Sequence, residues 1–162
     1  MDDFIYEYKS LYICAVFDNK WKKIKNRNKE IEGEWTEENS FGTPDQSDET
    51  HKNPQYGLRV TKTCTIFINL TQKDAISALK GKNFIYLRVQ RNNGTKMRKE
   101  DISSSKLCGN PLRPKDGVSL STEIELEADS SYPYTFTIMA CTRYVGDTGK
   151  YNLEIYCNDL QA

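Results

Sequence analysis

Near its end the chain is apolar at every second position: Tyr134, Phe136, Ile138 and Ala140, then Tyr151, Leu153, Ile155 and Cys157. Successive side chains of a β-strand point to opposite faces, so each run presents one apolar face to a core. The same period recurs at Tyr56, Leu58 and Val60, and at Cys64, Ile66, Ile68 and Leu70. It returns at Ile85, Leu87 and Val89, and at Leu120, Ile124 and Leu126. Leu11 to Phe17 is more continuously apolar and reads as a strand buried on both faces. A helical period is confined to Lys73–Lys80, where Ala75, Ile76 and Leu79 fit one short helix. Asn92-Asn93-Gly94, Pro111 to Gly117 and Val145 to Gly149 supply turn chemistry between the runs. About eight short strands joined this way predict an all-β fold, an antiparallel β-sandwich in one domain.

Two stretches exceed what a minimal sandwich needs. Trp21 to Pro54 holds both tryptophans, and Gln90 to Pro114 is rich in Lys, Arg and Ser. Long irregular segments in a compact domain are usually functional or disordered, so sites are sought there first.

A protein built to grip nucleic acid carries a basic excess, because phosphate contacts dominate that affinity. Here 23 Lys and Arg balance 23 Asp and Glu, which argues against nucleic acid as a partner. No apolar run approaches the roughly 18 residues of a membrane span. Met1 to Ser10 carries Asp2, Asp3 and Glu7 and lacks the apolar stretch of a secretory signal. The expected location is cytoplasmic, with peripheral membrane contact as an option. The five cysteines, Cys14, Cys64, Cys108, Cys141 and Cys157, are odd in number and form no C-x-x-C pair. Reduced thiols acting as small hydrophobes fit this better than a disulfide framework.

An ordered series of short motifs narrows the reading. It runs Phe4-x-x-x-Tyr8-x-x-Leu11-x-Ile13-Cys14, Gly33-Glu34-Trp35, Phe41-Gly42-Thr43-Pro44 and Asn53-Pro54-Gln55-Tyr56. Then come Cys64 to Lys73, Tyr134 to Ile138 and Gly149 to Tyr156. In order and spacing these resemble the non-catalytic third domain of calpains, the calcium-dependent papain-like cysteine proteases. The resemblance implies that residues 1–10 lead from an upstream protease core and that residues 11–162 form the calpain-type β-sandwich. It implies a regulatory or docking module whose partners are that core and, as an option, an anionic phospholipid surface. The parent protein is then a calcium-dependent cysteine endopeptidase. Trp35 is large enough to plug one end of a sandwich and needs a partner for its indole N–H. Pro54 drives Asn53 toward an extended conformation at the entry to a strand.

One departure from the family matters. Many calpains carry a run of carboxylates just before the Cys-Thr strand, tied to calcium response. This chain has Arg59-Val60-Thr61-Lys62-Thr63 there, as in an atypical member whose regulation leans less on calcium at that loop.

No catalytic residue is assigned. A papain-type site needs a thiolate and an imidazole held in contact. The single histidine, His51, lies in a polar loop, and Cys14 sits in an apolar run without the Gly-x-Cys-Trp surroundings of calpain active sites. Calcium takes six to eight converging oxygens, and the candidates are Asp45, Asp48 and Glu49 in one loop with Asp147 in another, Asp116 being a further carboxylate. Without a dense Asp-x-Asp pattern, the preferred reading is solvated carboxylates and no required cofactor. The strongest charge feature is Lys20, Trp21, Lys22, Lys23, Lys25, Arg27 and Lys29, with six cations in ten residues. It reads equally as a phospholipid contact, at about 1 kcal/mol per basic residue, or as a solubilising loop or lysine-guarded sheet edge. Arg88, Arg91, Lys96, Arg98 and Lys99 would extend such a patch. The alternative function is a stand-alone calcium- or phospholipid-binding adaptor without a protease.

Overall fold

The computed structural model describes residues 18–26, 29–73, 83–92, 95–102, 107–109, 115–116, 118–128 and 134–158. The connection expected over 1–10, the strand over Leu11–Phe17 and all but the first residue of the Lys73–Lys80 helix lie outside them.

The nine described strands are β1 (Trp21–Ile24), β2 (Ile31–Trp35), β3 (Gln55–Val60), β4 (Cys64–Gln72), β5 (Phe84–Arg91), β6 (Lys115–Asp116), β7 (Ser119–Leu126), β8 (Tyr134–Thr142) and β9 (Gly149–Asn158). They form two sheets. One runs β1-β9-β4-β7 with β2 also on β9, and the other runs β3-β8-β5-β6. Every pairing among them is antiparallel. The fold is the expected antiparallel β-sandwich.

The inward residues are those the period-two runs supply. Ile66, Ile68 and Leu70 of β4 face Ile85, Leu87 and Val89 of β5, with Phe136, Ile138, Tyr151, Leu153 and Ile155 in the same buried cluster. Each such side chain, fully buried, contributes about 1.5–3 kcal/mol relative to exposure.

The described residues of both long excursions hold defined structure. Trp21 to Pro54 contains β1 and β2, which lie end to end along one edge of β9. Ile24 pairs with Ile155 and Ile31 with Leu153, so the ladder skips from one to the other opposite Glu154 alone, and the described residues 25–26 and 29–30 lie outside it. The alternation was hard to see because an edge strand has one hydrogen-bonded neighbour and carries lysines at little cost.

Residues 95–102 of the second excursion cover the outer face of the other sheet. There Tyr86, Met97, Met139 and Cys141 make a second buried cluster, with Ile102 packed against it. Consequently Phe136 to Thr142 of β8 is buried on both faces, not on one as the alternation alone predicts.

Candidate functional site

Three of the sequence motifs converge inside the sandwich. Trp35 at the end of β2 is 1% exposed, and its indole Nε1 donates to the Ala140 carbonyl oxygen at 3.1 Å. Its ring lies 4.2 Å from that of Tyr151, centroid to centroid. The Tyr151 hydroxyl in turn shares a 2.7 Å hydrogen bond with the Tyr56 hydroxyl. Gly33 is the ladder partner of Tyr151, and a Cβ on it would sit 2.3 Å from the Tyr151 ring carbon Cζ. Gly-x-Trp is thus a packing requirement: glycine under the tyrosine ring, tryptophan beside it.

Asn53 is buried and holds the loop that follows β2. Its amide Nδ2 donates to the carbonyl oxygens of Gly42 and Thr50, both at 2.8 Å, and its Oδ1 accepts the Phe41 N–H at 3.0 Å. With φ −56° and ψ 161° it has the extended conformation that Pro54 favours.

The carboxylates singled out for calcium each take a local partner or stand apart. Asp45 accepts from Thr43 Oγ1 at 2.6 Å and Gln46 Nε2 at 3.0 Å, which holds its carboxyl below the ordinary carboxylate value. Asp48 pairs with Lys99 at 3.0 Å, and Glu49 with Lys52 at 2.7 Å. Asp147 lies in the β8–β9 connection, where burial raises its pKa. Among the described residues no three His, Cys, Asp or Glu side chains gather as a metal-holding group. The side chain of Asp116 lies outside the description.

The basic run falls on β1 and the loop after it. Lys20, Lys22, Lys25 and Lys29 are exposed, Trp21 is half-buried, and Arg27 is outside the described residues. Lys23 differs. Its Nζ pairs with Glu154 and Glu30, both at 2.7 Å, and stands 5.8 Å from the Tyr156 ring centroid. The bonds to Glu154 and Glu30 raise its pKa. Lys25 also reaches Glu30, at 3.6 Å, so charge ties Glu30 to β1.

The second basic cluster does not extend this patch. Arg88 is 6% exposed, its Nε donating to Gln90 Oε1 at 3.0 Å, while Gln90 Nε2 donates to the Asp101 carbonyl oxygen. It is part of a buried polar network beneath residues 95–102. Arg91, Lys96, Arg98 and Lys99 are exposed but belong to the β3-β8-β5-β6 sheet and its cover, whereas the Lys20–Lys29 run edges the other sheet.

His51 sits on the 3-10 turn Thr50–Lys52. It is half-buried, with a shielded Nδ1 that has no hydrogen-bond partner, and so is less solvated than a polar loop suggests. Cys14 lies outside the described residues. Cys64, Cys108 and Cys157 are half-buried and Cys141 is buried, and none of the four is in a disulfide.

The family model for calpain large subunit, domain III, matches residues 31–156. The chain belongs to that family. No curated protein sequence matches it. Calpain domain III is a non-catalytic domain, in keeping with a site made of packing contacts and charged surfaces. The match takes in β2 to β8 and nearly all of β9, leaving β1 and its lysines outside the matched span. Between β3 and β4 of this calpain domain runs a three-residue connection, Thr61 to Thr63, that carries no carboxylate, with Arg59 and Lys62 exposed.

Proposed function

We propose that this domain is the regulatory docking module of a calpain-type, calcium-dependent cysteine endopeptidase. It performs no bond chemistry itself, contacts the protease core, and touches anionic phospholipid through the β1 edge. The membership in calpain domain III supports the first part. The observation that carries the membrane contact is the β1 edge: four exposed lysines, Lys20, Lys22, Lys25 and Lys29, on one sheet edge. A cation held near an anionic leaflet contributes about 1 kcal/mol, so four acting together give measurable retention. Trp21, half-buried beside them, supplies an amphipathic ring at the same edge. Calcium enters through the rest of the protease, since each carboxylate of Asp45, Asp48 and Glu49 has its own partner.

The test is co-sedimentation with vesicles of phosphatidylcholine and phosphatidylserine. Retention is expected for the native chain, independent of calcium, and lost when Lys20, Lys22, Lys25 and Lys29 are changed to Glu. Retention unchanged by those reversals overturns the membrane role of the edge. For the protease part, the full-length protein is expected to cleave casein in a thiol- and calcium-dependent way, and residues 1–162 alone are not. Cleavage by the isolated domain overturns it.

A further inference from the structure

Away from the lysine edge, one exposed cluster is built like a protein contact. Among the described residues Tyr144 and Val145 are the large apolar side chains left most open to solvent, 46% and 56% exposed. They follow Arg143 in the β8–β9 connection, and Phe84 at the start of β5 stands beside them. We propose that Arg143, framed by Phe84, Tyr144 and Val145, docks a segment of a partner protein that presents a carboxylate next to an apolar side chain. This contact goes beyond the functional reading above and does not depend on it.

The guanidinium supplies the charge. Its Cζ stands 5.7 Å from the Phe84 ring centroid and 5.4 Å from that of Tyr144, and the two rings meet edge to face at 6.5 Å. Ring contacts of this kind restrict the planar fork, which is shaped to bind a carboxylate through two parallel hydrogen bonds. Nothing in the domain uses it. Arg143 takes part in none of the ion pairs among the described residues, and its shielded Nε has no hydrogen-bond partner. Arg98, by contrast, pairs with Glu100 and Asp101. Asp45 is near enough to feel the Arg143 charge but is engaged by Thr43 and Gln46, and Asp147 stands against the Tyr144 backbone.

The apolar half is Tyr144 and Val145, with Phe41 as the bridge partner of Val145. Tyrosine and arginine are enriched at the centres of protein interfaces, where neighbouring apolar contacts exclude water from the charged pair. The backbone beneath them is fixed. The Arg143 N–H donates to the Phe84 carbonyl at 2.7 Å, the Thr43 N–H to the Arg143 carbonyl at 3.1 Å, and the Gly146 N–H to the Ser40 carbonyl at 2.9 Å. Thr142 Oγ1 donates to the Tyr144 carbonyl at 3.0 Å and shares a 2.7 Å bond with Ser40 Oγ. A surface held this way lowers the ordering cost of binding.

Position and charge count favour a protein over a membrane. The cluster precedes the first residue of β9, whereas β1 pairs with Ile155 to Asn158 at the other end of that strand. Attraction to an anionic leaflet grows with the number of cations. Here Arg143 has two carboxylates, Asp45 and Asp147, in its neighbourhood, and Lys52, whose Nζ lies 5.3 Å from the Phe41 ring centroid, is paired with Glu49. One open fork suits one carboxylate.

The experiment follows the amide NMR shifts of the isotope-labelled whole chain. The probe is a blocked hexapeptide alternating leucine and glutamate, and the control alternates leucine and glutamine. Saturable shifts are expected at Phe84 and at Arg143 to Gly146 with the glutamate peptide, and the glutamine peptide should bind about tenfold more weakly. Arg143→Lys, which keeps the charge and loses the fork, should weaken binding of the glutamate peptide by a similar factor. Val145→Glu, at a site too exposed to disturb the core, should abolish it. Substituting Lys20 and Lys22 by Glu should leave it unchanged. The proposal is overturned by equal binding of the two peptides, by the absence of shifts at these amides, or by binding indifferent to Arg143→Lys and Val145→Glu. It is also overturned if phosphatidylserine vesicles perturb these amides and the peptide does not, which would make the cluster a membrane contact.

Discussion

The hydroxyl oxygens of Tyr56 and Tyr151 lie 2.7 Å apart, one tyrosine on each sheet. This bond crosses the sandwich, and the Tyr151 ring continues into Trp35, whose indole bonds back to Ala140 on the first tyrosine's sheet. Removing one hydroxyl leaves the other without its partner in a low-dielectric interior, which costs about 1–3 kcal/mol. Tyr56→Phe and Tyr151→Phe are each expected to destabilise the domain by that amount. The double variant should cost clearly less than the sum, because no orphaned hydroxyl remains. Urea unfolding of the four proteins measures the cycle, and additive losses would show that the two hydroxyls do not act together.

Gly33 gives a second, steric prediction. The Cβ of Gly33→Ala would fall 2.3 Å from Cζ of Tyr151, and the ring atoms next to it are almost as close. The ring is wedged against Trp35, so it has little room to retreat. Overpacking of this kind costs about 1–3 kcal/mol. Gly57→Ala, into open space, should be neutral or stabilising. Thermal melts of the two variants should therefore move in different directions, and equal shifts would rule out the ring contact as the cause.

These residues show what was legible in the sequence. The inward-facing strands were, since a half-buried strand writes its face into every second residue, as at Tyr151, Leu153 and Ile155. The motif residues Gly33, Trp35, Asn53 and Tyr56 were recognisable as a set, but that they are contacts of one another required the register that brings Gly33 against Tyr151. β1 was hidden because lysines on an edge strand mask its period. Arg88 was misplaced as a surface cation because nothing local announces that residues 95–102 fold back over it; only the Gln90 and Asp101 contacts do.

The cover over β5 and β8 has a chemical readout. Cys141 is 0% exposed beneath it, next to Met97, and burial lifts its thiol far above the ordinary range, so almost no thiolate forms at neutral pH. Native Cys141 is expected to resist iodoacetamide, while half-buried thiols such as Cys64 and Cys157 react. Met97→Ala removes a fully buried side chain from the cover, a loss of about 2–5 kcal/mol that falls on the local cluster. Labelling of Cys141, followed by mass spectrometry, should then rise well before global unfolding. Protection unchanged by Met97→Ala would show that the cover does not govern access.

The lysine edge makes the last prediction, a dependence on pH. Glu154 accepts from Lys23, chiefly, and from Asn69, so its folded pKa lies below the ordinary 4.5. Such a group stabilises the fold above its unfolded pKa, and that contribution fades as pH falls through the depressed folded value. Lys23 is the mirror case: its pKa is raised from 10.5, so its contribution is complete below that value and is lost only as pH rises through the folded one. The pair should hold β1 on β9 evenly from about pH 5 to 10, with loss at both extremes. Both side chains are about a quarter exposed, so the pair contributes about 1 kcal/mol or less. The protection factor of the amides at Lys22 to Ile24, which is exchange corrected for its intrinsic pH dependence, is expected to fall below pH 4.5 in the native protein. Glu154→Gln should remove that acid limb and leave faster exchange at neutral pH. If Glu154→Gln exchanges as the native chain does at every pH, the Lys23–Glu154 contact does not hold the edge.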